Sequence, residues 1–396
     1  MLHQQHAKMT SFSLSHYCSI ELLHYSPIAP SRITSRKRLP SLPTNPISLA
    51  SRVRKFMHKA FTELLLKAGI NSQLKSVTDL HAHASYRSYH RLFTEDGKSF
   101  VVMKMPEGKA SASEEITNFA GVKNELSFLN VQRFLEAHNV PVPKVFATND
   151  HQSLLLLEDI GSDELFQHVI GANEEEREKW YAKALQLLIS LQEHTQQSEA
   201  TSCYALQRSF DAELLQWECD HFLEFALEAR GVRVSAEAKN IFHAQTKKLT
   251  EAIIKTPYTF THRDFQSRNL MVRSNGELVL IDFQDALMGP RVYDLVALTR
   301  DSYITLSDAL VEKLISTFAQ ARKWNEAEIK REYLLVTLQR KLKDTGRFVY
   351  IDQVKGNPSF LQHIPRSLGY IKWALEQLPE YADLYKMLKQ HVPEWK

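Results

Sequence analysis

The chain has 396 residues, 43% hydrophobic and 24% charged, an ordinary balance for a globular enzyme long enough to build two lobes. No stretch approaches the roughly eighteen consecutive apolar residues that a membrane-spanning helix needs, and three cysteines without a CxxC pair (Cys18, Cys203, Cys219) exclude a disulfide framework and a structural zinc site. The formal charge of +3 is uneven: residues 1–60 carry nine Lys/Arg and one acid, leaving 40 basic and 45 acidic residues elsewhere, and a mildly acidic body weighs against a nucleic-acid binder, which wants a basic face.

In chain order, residues 1–56 come first, with ten serines, five of the fourteen prolines, no glycine and no sustained periodicity. Such a segment buries too little apolar surface to offset its ordering entropy and is expected to be disordered. It reads either as a basic, serine-rich targeting segment or as an extension ahead of a true start at Met57, where "MHKAFTELLLKAG" opens as a helix; the second reading is the expectation. "SYRSYHRLF", "KSFVVMKM", "KVFAT" and "SLLLLED" are then short β-rich runs. Between them "VKNELSFLNVQRFLEAHNV" lines up Val122, Leu126, Leu129 and Phe134 as a helical stripe, ended by Pro141 and Pro143.

From Asn173, "NEEEREKWYAKALQLLISLQEH" predicts a helix to about His194, with Asn173 and Glu176 in capping-box spacing. Helical patterns continue to about Lys255. "LMVRSNGELVLIDF" predicts a hairpin turning at Asn275-Gly276, and helices resume near Tyr293. The expected fold class is α+β and bilobal. Residues 57–160 form a small β-rich lobe for nucleotide. Residues 161–396 form a larger helical lobe with a central β-hairpin, and a ligand cleft lies between the two.

The chemistry gathers in "THRDFQSRNLMV" and just beyond it. Asp264 and Asn269 are five apart, and Asp282 ends the second hairpin strand, thirteen residues after Asn269. Transfer of a γ-phosphoryl group needs a carboxylate to accept or orient the proton of the attacking hydroxyl. It also needs hard oxygen ligands to hold Mg²⁺ against the phosphates. Asp264 is expected as base, with Asn269 and Asp282 as Mg²⁺ ligands. His262 is expected to brace the loop. Arg263 and Arg268 either meet phosphate or form structural ion pairs.

On the nucleotide side, Lys104 follows an apolar strand and is expected to meet the α/β-phosphates of ATP, with Glu125 as its partner. "HASYRSYH" would cover the phosphates. In "LLLLEDIGSDEL" the backbone from Glu158 to Ile160 would hydrogen-bond adenine, between apolar walls at Leu156 and Leu157. A protein kinase is disfavoured. No G-x-G-x-x-G precedes Lys104, Asp282 stands in D-F-Q, and Asp294 follows it by twelve residues, which leaves no room for an activation loop.

"HRDFQSRNLMV", "LIDFQDALMGPRVYDLVALTRDSY" and "LQRKLKDTGRF" resemble the aminoglycoside phosphotransferase/choline kinase-like superfamily. Within it they are most similar to the bacterial anomeric kinases for N-acetylmuramate and N-acetylglucosamine. "ASYRSYHRLF", "VPVPKVFA" and "LLLLEDIGSDEL" fit the same pattern, and the likeness spans Phe61 to Leu375. The resemblance implies a protein-kinase-like fold and ATP- and Mg²⁺-dependent phosphorylation of an amino sugar's anomeric hydroxyl. It further implies a salvage role in peptidoglycan recycling, carried out by a cytoplasmic monomer without nucleic-acid or membrane partners.

Carried over by residue, the resemblance makes Asp264 the base, Asn269 and Asp282 the metal ligands, and Lys104 the phosphate-contacting lysine. The long N-terminal segment departs from the family pattern. For the sugar, the candidates are Gln266, Asp285, Arg291, Arg340 and Lys343, with Arg340 or Lys343 suited to a lactyl carboxylate. Asp294 is expected to brace the loop. One rival reading is an aminoglycoside, choline or homoserine kinase, in which Glu376, Glu380, Trp373, Tyr370 and Tyr381 would receive a cation. Another is a nucleotide-binding pseudokinase.

Overall fold

A computed structural model describes residues 46–80, 87–106, 125–196 and 202–396, with 46–56 described by backbone alone. Helix α1 (Pro46–Lys67) begins ahead of Met57, inside the segment that the sequence led us to expect as disordered. Its first residue is a proline, which a first helical turn tolerates because that N–H has no intrahelical partner anyway. Five strands follow around α2 (Ser127–Ala137): β1 (Leu74–Leu80), β2 (Ser88–Thr94), β3 (Ser99–Lys104), β4 (Val145–Thr148) and β5 (Leu154–Glu158). They form one antiparallel sheet in the order β1-β2-β3-β5-β4. The helix expected from Val122 is seen from Ser127, and Val122 lies outside the described residues.

The strand alternation explains the apolar runs. Phe100 and Val102 of β3, with Leu154 and Leu156 of β5, face Phe61, Leu64 and Leu65 of α1. Met103, Leu155 and Leu157 point to the opposite face, into the main core with Val131 and Leu135 of α2. Both faces are covered, so both strands read as continuous hydrophobic stretches rather than alternating ones. Strand β1 carries five exposed residues in its interior and lies at the sheet edge, which is why its sequence gave no strand signal.

The helical part comprises α3 (Leu165–Val169), α4 (Glu174–Gln196), α5 (Ala212–His221), α6 (Ala236–Ile253), α7 (Tyr293–Thr299), α8 (Asp308–Ala321), α9 (Glu326–Lys355), α10 (Ile364–Glu376) and α11 (Ala382–His391). Asn173 caps α4 by accepting the Glu176 N–H at 2.9 Å. The hairpin is present: β7 (Leu270–Val272) pairs with β8 (Leu278–Leu280), and Gly276 supplies the φ of +79° in the turn. A second pair was not anticipated. β6 (Tyr258–Thr261) and β9 (Leu287–Pro290) bracket the hairpin and pair antiparallel, Thr261 opposite Leu287. Among the described residues no helix is long and apolar enough to cross a membrane.

Helix α9 is the spine of this part, and it passes the π-helical stretch Phe222–Leu227 at Gly346. A Cβ at Gly346 would sit 2.2 Å from the His221 carbonyl oxygen and 2.8 Å from the Phe222 nitrogen. Backbone cannot swing aside as a side chain can. Gly346→Ala is therefore expected to destabilise the fold by at least about 1–3 kcal/mol, read as a lower denaturation midpoint.

Candidate active site

Two strand pairs fix the ends of the loop from His262 to Asn269, which leaves β6 and enters β7. Two buried aspartates fix its middle. Asp294, in the first turn of α7, accepts the backbone N–H groups of His262 (2.7 Å) and Arg263 (3.0 Å). Asp301 accepts the N–H (3.0 Å) and hydroxyl (2.5 Å) of Ser267. Burial pushes the Asp294 carboxyl up to about 6, against the pull of His262, Arg340 and Arg263.

His262 is wholly buried. Its Nε2–H donates to the Ile281 carbonyl at 2.9 Å, and its Nδ1 accepts the Asp264 N–H at 3.2 Å. Burial lowers its pKa, consistent with a neutral ring that joins the loop to the end of the hairpin. Asp294 and His262 thus brace the loop, as expected. Arg263 turns inward at φ +77° and pairs with buried Glu218 at 3.0 Å, which decides for the structural reading of that arginine.

On this frame Asp264, Asn269 and Asp282 come together. Asp264 keeps 46% of its side chain exposed and Asp282 keeps 45%, so both carboxylates are open to a ligand. The Asn269 amide donates from Nδ2 to the Asp264 carbonyl at 2.7 Å, which leaves Oδ1 without a partner among the described residues. Asp282 has φ +64°, a region that costs a non-glycine residue roughly 1–3 kcal/mol. It is held there by its neighbours: Phe283 stacks on Phe128 of α2 at 4.9 Å, and buried Arg208 donates to the carbonyls of Gln284 (2.6 Å) and Ala286 (2.9 Å).

Burial raises the Asp282 carboxyl, and the nearby charges of Asp264 and Asp285 add to it, against the Gln284 hydrogen bond and Arg87. A carboxylate so placed gains from a bound cation. Asn269 Oδ1 and Asp282 fit Mg²⁺, whose remaining positions are ordinarily filled by phosphate and water. Among the described residues no cluster of three or more His, Cys, Asp or Glu forms a closed metal cage.

Arg340 of α9 has no exposed surface. Its Nη1 donates to the Arg263 carbonyl at 2.5 Å and its Nη2 to Asp264 Oδ1 at 3.1 Å. It therefore holds the aspartate instead of meeting the sugar, which corrects the sequence expectation. Arg291 is also corrected. It forms a two-pronged pair with Glu332 (2.9 and 2.7 Å), is 5% exposed and lies over Trp324. Spacing along the chain could not show a partner 41 residues away.

Lys343 stays near the site with 16% of its side chain exposed, 3.8 Å from Asp344. Burial works to raise the Asp264 carboxyl, but the positive charges of Lys343, Arg340 and Arg263 overcome it and hold it well below the usual range. Gln266 lies half-buried in the loop. Asp285 accepts from Gln284 at 3.1 Å through one oxygen, while its other oxygen is buried and unbonded among the described residues.

On the nucleotide side Lys104 ends β3, half-buried. Glu125 does not reach it: that carboxylate pairs with Arg133 and accepts from Asn130 at 3.1 Å, both on α2, the nearer cations and donors. The Glu158 side chain pairs with Arg273 of the hairpin at 2.9 Å, and its N–H is taken by the Lys144 carbonyl. The Asp159 and Ile160 amides have no hydrogen-bond partner among the described residues and are open donors of the junction.

Arg91 of β2 clamps this junction through Asp159 (2.9 Å), the Gly161 carbonyl (2.7 Å) and Ser162 Oγ (3.0 Å). Arg87 reaches Asp282 Oδ1 at 3.5 Å, bringing a cation from the sheet to the metal-ligand candidate. Sequence reasoning placed Arg87 only within the phosphate-covering loop and gave Arg91 no role. Of the expected covering loop, residues 83–86 lie outside the described residues, and Ser88, Tyr89 and His90 belong to β2 rather than to a loop.

A five-stranded sheet joined to a helical body, with a half-open aspartate, an asparagine and a second aspartate at the junction, defines a small-molecule kinase of the protein-kinase-like class. The chain belongs to the APH phosphotransferase enzyme family, whose signature matches residues 76–329. It is similar to the N-acetylmuramate/N-acetylglucosamine kinase of Neisseria meningitidis serogroup B, 27% identical over 78% of this chain and 89% of the relative. It is also similar to the enzyme of that name from Pseudomonas aeruginosa, 28% identical over 77% and 85%.

Among solved structures it resembles a choline/ethanolamine kinase family protein from Mesorhizobium loti (TM-score 0.54, 12% identical, 84% and 99% covered). It also resembles the ADP-bound aminoglycoside phosphotransferase APH(2'')-Ib (TM-score 0.53, 13% identical, 87% and 99% covered). These likenesses give the fold, α+β and protein-kinase-like.

Proposed function

We propose that the protein transfers the γ-phosphoryl group of Mg-ATP to the anomeric hydroxyl of N-acetylmuramate or N-acetylglucosamine. The product is the sugar 1-phosphate, made in the cytoplasm during reuse of peptidoglycan sugars. An ATP-dependent kinase acting on a sugar hydroxyl follows from the family and from relatives that carry this activity in their names over about four-fifths of the chain. The observation that carries the chemistry is the open Asp264 carboxylate, fixed by Arg340 beside Asn269 and Asp282.

Asp264 receives the hydroxyl proton as the sugar oxygen attacks phosphorus and the bond between phosphorus and the ADP oxygen breaks. Asn269 and Asp282 would hold Mg²⁺, which when bound would neutralise charge at the phosphates. Lys104 and Arg87 supply protein cations on the nucleotide side, and the Ile160 amide is free to bond adenine. The cations around Asp264 make it a weak base, matched to an anomeric hydroxyl, which is more acidic than an ordinary alcohol.

The cationic-substrate reading loses its support. Glu380 is engaged by Arg331 and Lys248, Trp373 by Arg300 at 3.9 Å, Tyr381 by Lys248 at 5.1 Å, and Glu376 by the Tyr385 hydroxyl. Tyr370 faces Arg300 at 5.0 Å. ADP release measured with a panel of sugars, choline and aminoglycosides tests the reading. Turnover of the two amino sugars is expected; turnover of choline or an aminoglycoside alone would overturn it.

A further inference from the structure

We propose that Arg268, with Arg366 and His363, forms a carboxylate-binding subsite that reads the lactyl group of N-acetylmuramate. This inference rests on the sugar-kinase reading above. Arg268 stands on the same loop as Asp264, immediately before Asn269. Its guanidinium carbon lies 4.1 Å from the Tyr303 ring centroid and 4.7 Å from that of Phe166, two rings set edge to face to one another that hold the group by cation–π contact and leave its N–H donors unspent. Its Nε is buried without a hydrogen-bond partner, and among the described residues no acid pairs with it.

Arg366 donates to the Ser302 carbonyl at 2.5 Å and likewise has no acidic partner among the described residues. His363 packs against Tyr303 at 4.9 Å. Its pKa is lowered first by burial and then by Arg268 and Arg366, the signature of positive charges gathered without a counter-ion. Asp301, two residues before Tyr303, is already committed to Ser267 and to the Tyr303 N–H.

The patch shares its loop with the reacting carboxylate, Arg268 standing four residues after Asp264 between β6 and β7. A half-buried arginine held by aromatic rings, beside a second arginine that also lacks an anion, is suited to a planar carboxylate bonded in two places. Lys343, the alternative, lies instead among acidic groups, Glu218 and Asp344. N-Acetylglucosamine has no lactyl carboxylate, so the subsite discriminates between the two sugars.

The test compares kcat/KM for N-acetylmuramate, its lactyl methyl ester and N-acetylglucosamine in the unaltered protein, Arg268→Gln, Arg268→Lys and Arg366→Gln. The muramate-to-glucosamine ratio should fall about tenfold or more in Arg268→Gln, less in Arg366→Gln, and recover in part in Arg268→Lys. The unaltered protein should use the ester less well than the acid. An unchanged ratio in Arg268→Gln and Arg366→Gln, or acid and ester used equally, overturns the inference. So does a raised KM for ATP shared by both sugars, which would assign Arg268 to phosphate. If the unaltered protein phosphorylates neither sugar, the function reading fails first and takes the subsite with it.

Discussion

Asp264→Asn is expected to lower kcat by about 10²–10⁴ while leaving ATP affinity nearly unchanged. The amide keeps the shape of the side chain and an oxygen for the Arg340 guanidinium at 3.1 Å, but it cannot take the sugar's proton. The nucleotide contacts we propose lie elsewhere, at the β3 end, the 158–160 junction and the Asn269–Asp282 pair, so binding measured by calorimetry should persist. Activity within tenfold of the unaltered protein would remove Asp264 from the role of base.

Arg340→Met should be damaging in two ways. The guanidinium has no exposed surface and joins α9 to the loop through the Arg263 carbonyl and the Asp264 carboxylate. Removing one partner of a buried pair costs about 3–5 kcal/mol. Here the lower end is expected, because Asp264 is open to water on one side and Asp344 retains Lys341 at 2.8 Å. Arg340→Lys keeps the charge but cannot serve carbonyl and carboxylate together in the guanidinium's planar geometry. It should recover stability in denaturant unfolding more than it recovers kcat. If Arg340→Met matches the unaltered protein in both, Arg340 does not position Asp264.

Much of this architecture was legible because it is local. A D-x₄-N spacing places two side chains on one loop, Asn275-Gly276 is a turn with a steric reason, and the apolar runs of β3 and β5 are long enough to read. The β6–β9 pair was not legible, since two four-residue strands 25 or more residues apart leave no periodicity to detect. The direction of charged side chains was not legible either. Arg340 and Lys343 look like a solvated pair on a helix, yet one is sealed beneath the loop and the other borders the cleft. Arg291 and Arg263 found buried glutamates far along the chain. Arg268 found none, and only the fold separates these cases.

The most direct test of the central claim is the position of the phosphate on the product. After incubation with Mg-ATP and either amino sugar, phosphorus–proton correlation NMR should couple the new phosphorus to the anomeric proton, with loss of the sugar's reducing end. A phosphorus coupled to any other ring proton would contradict the account.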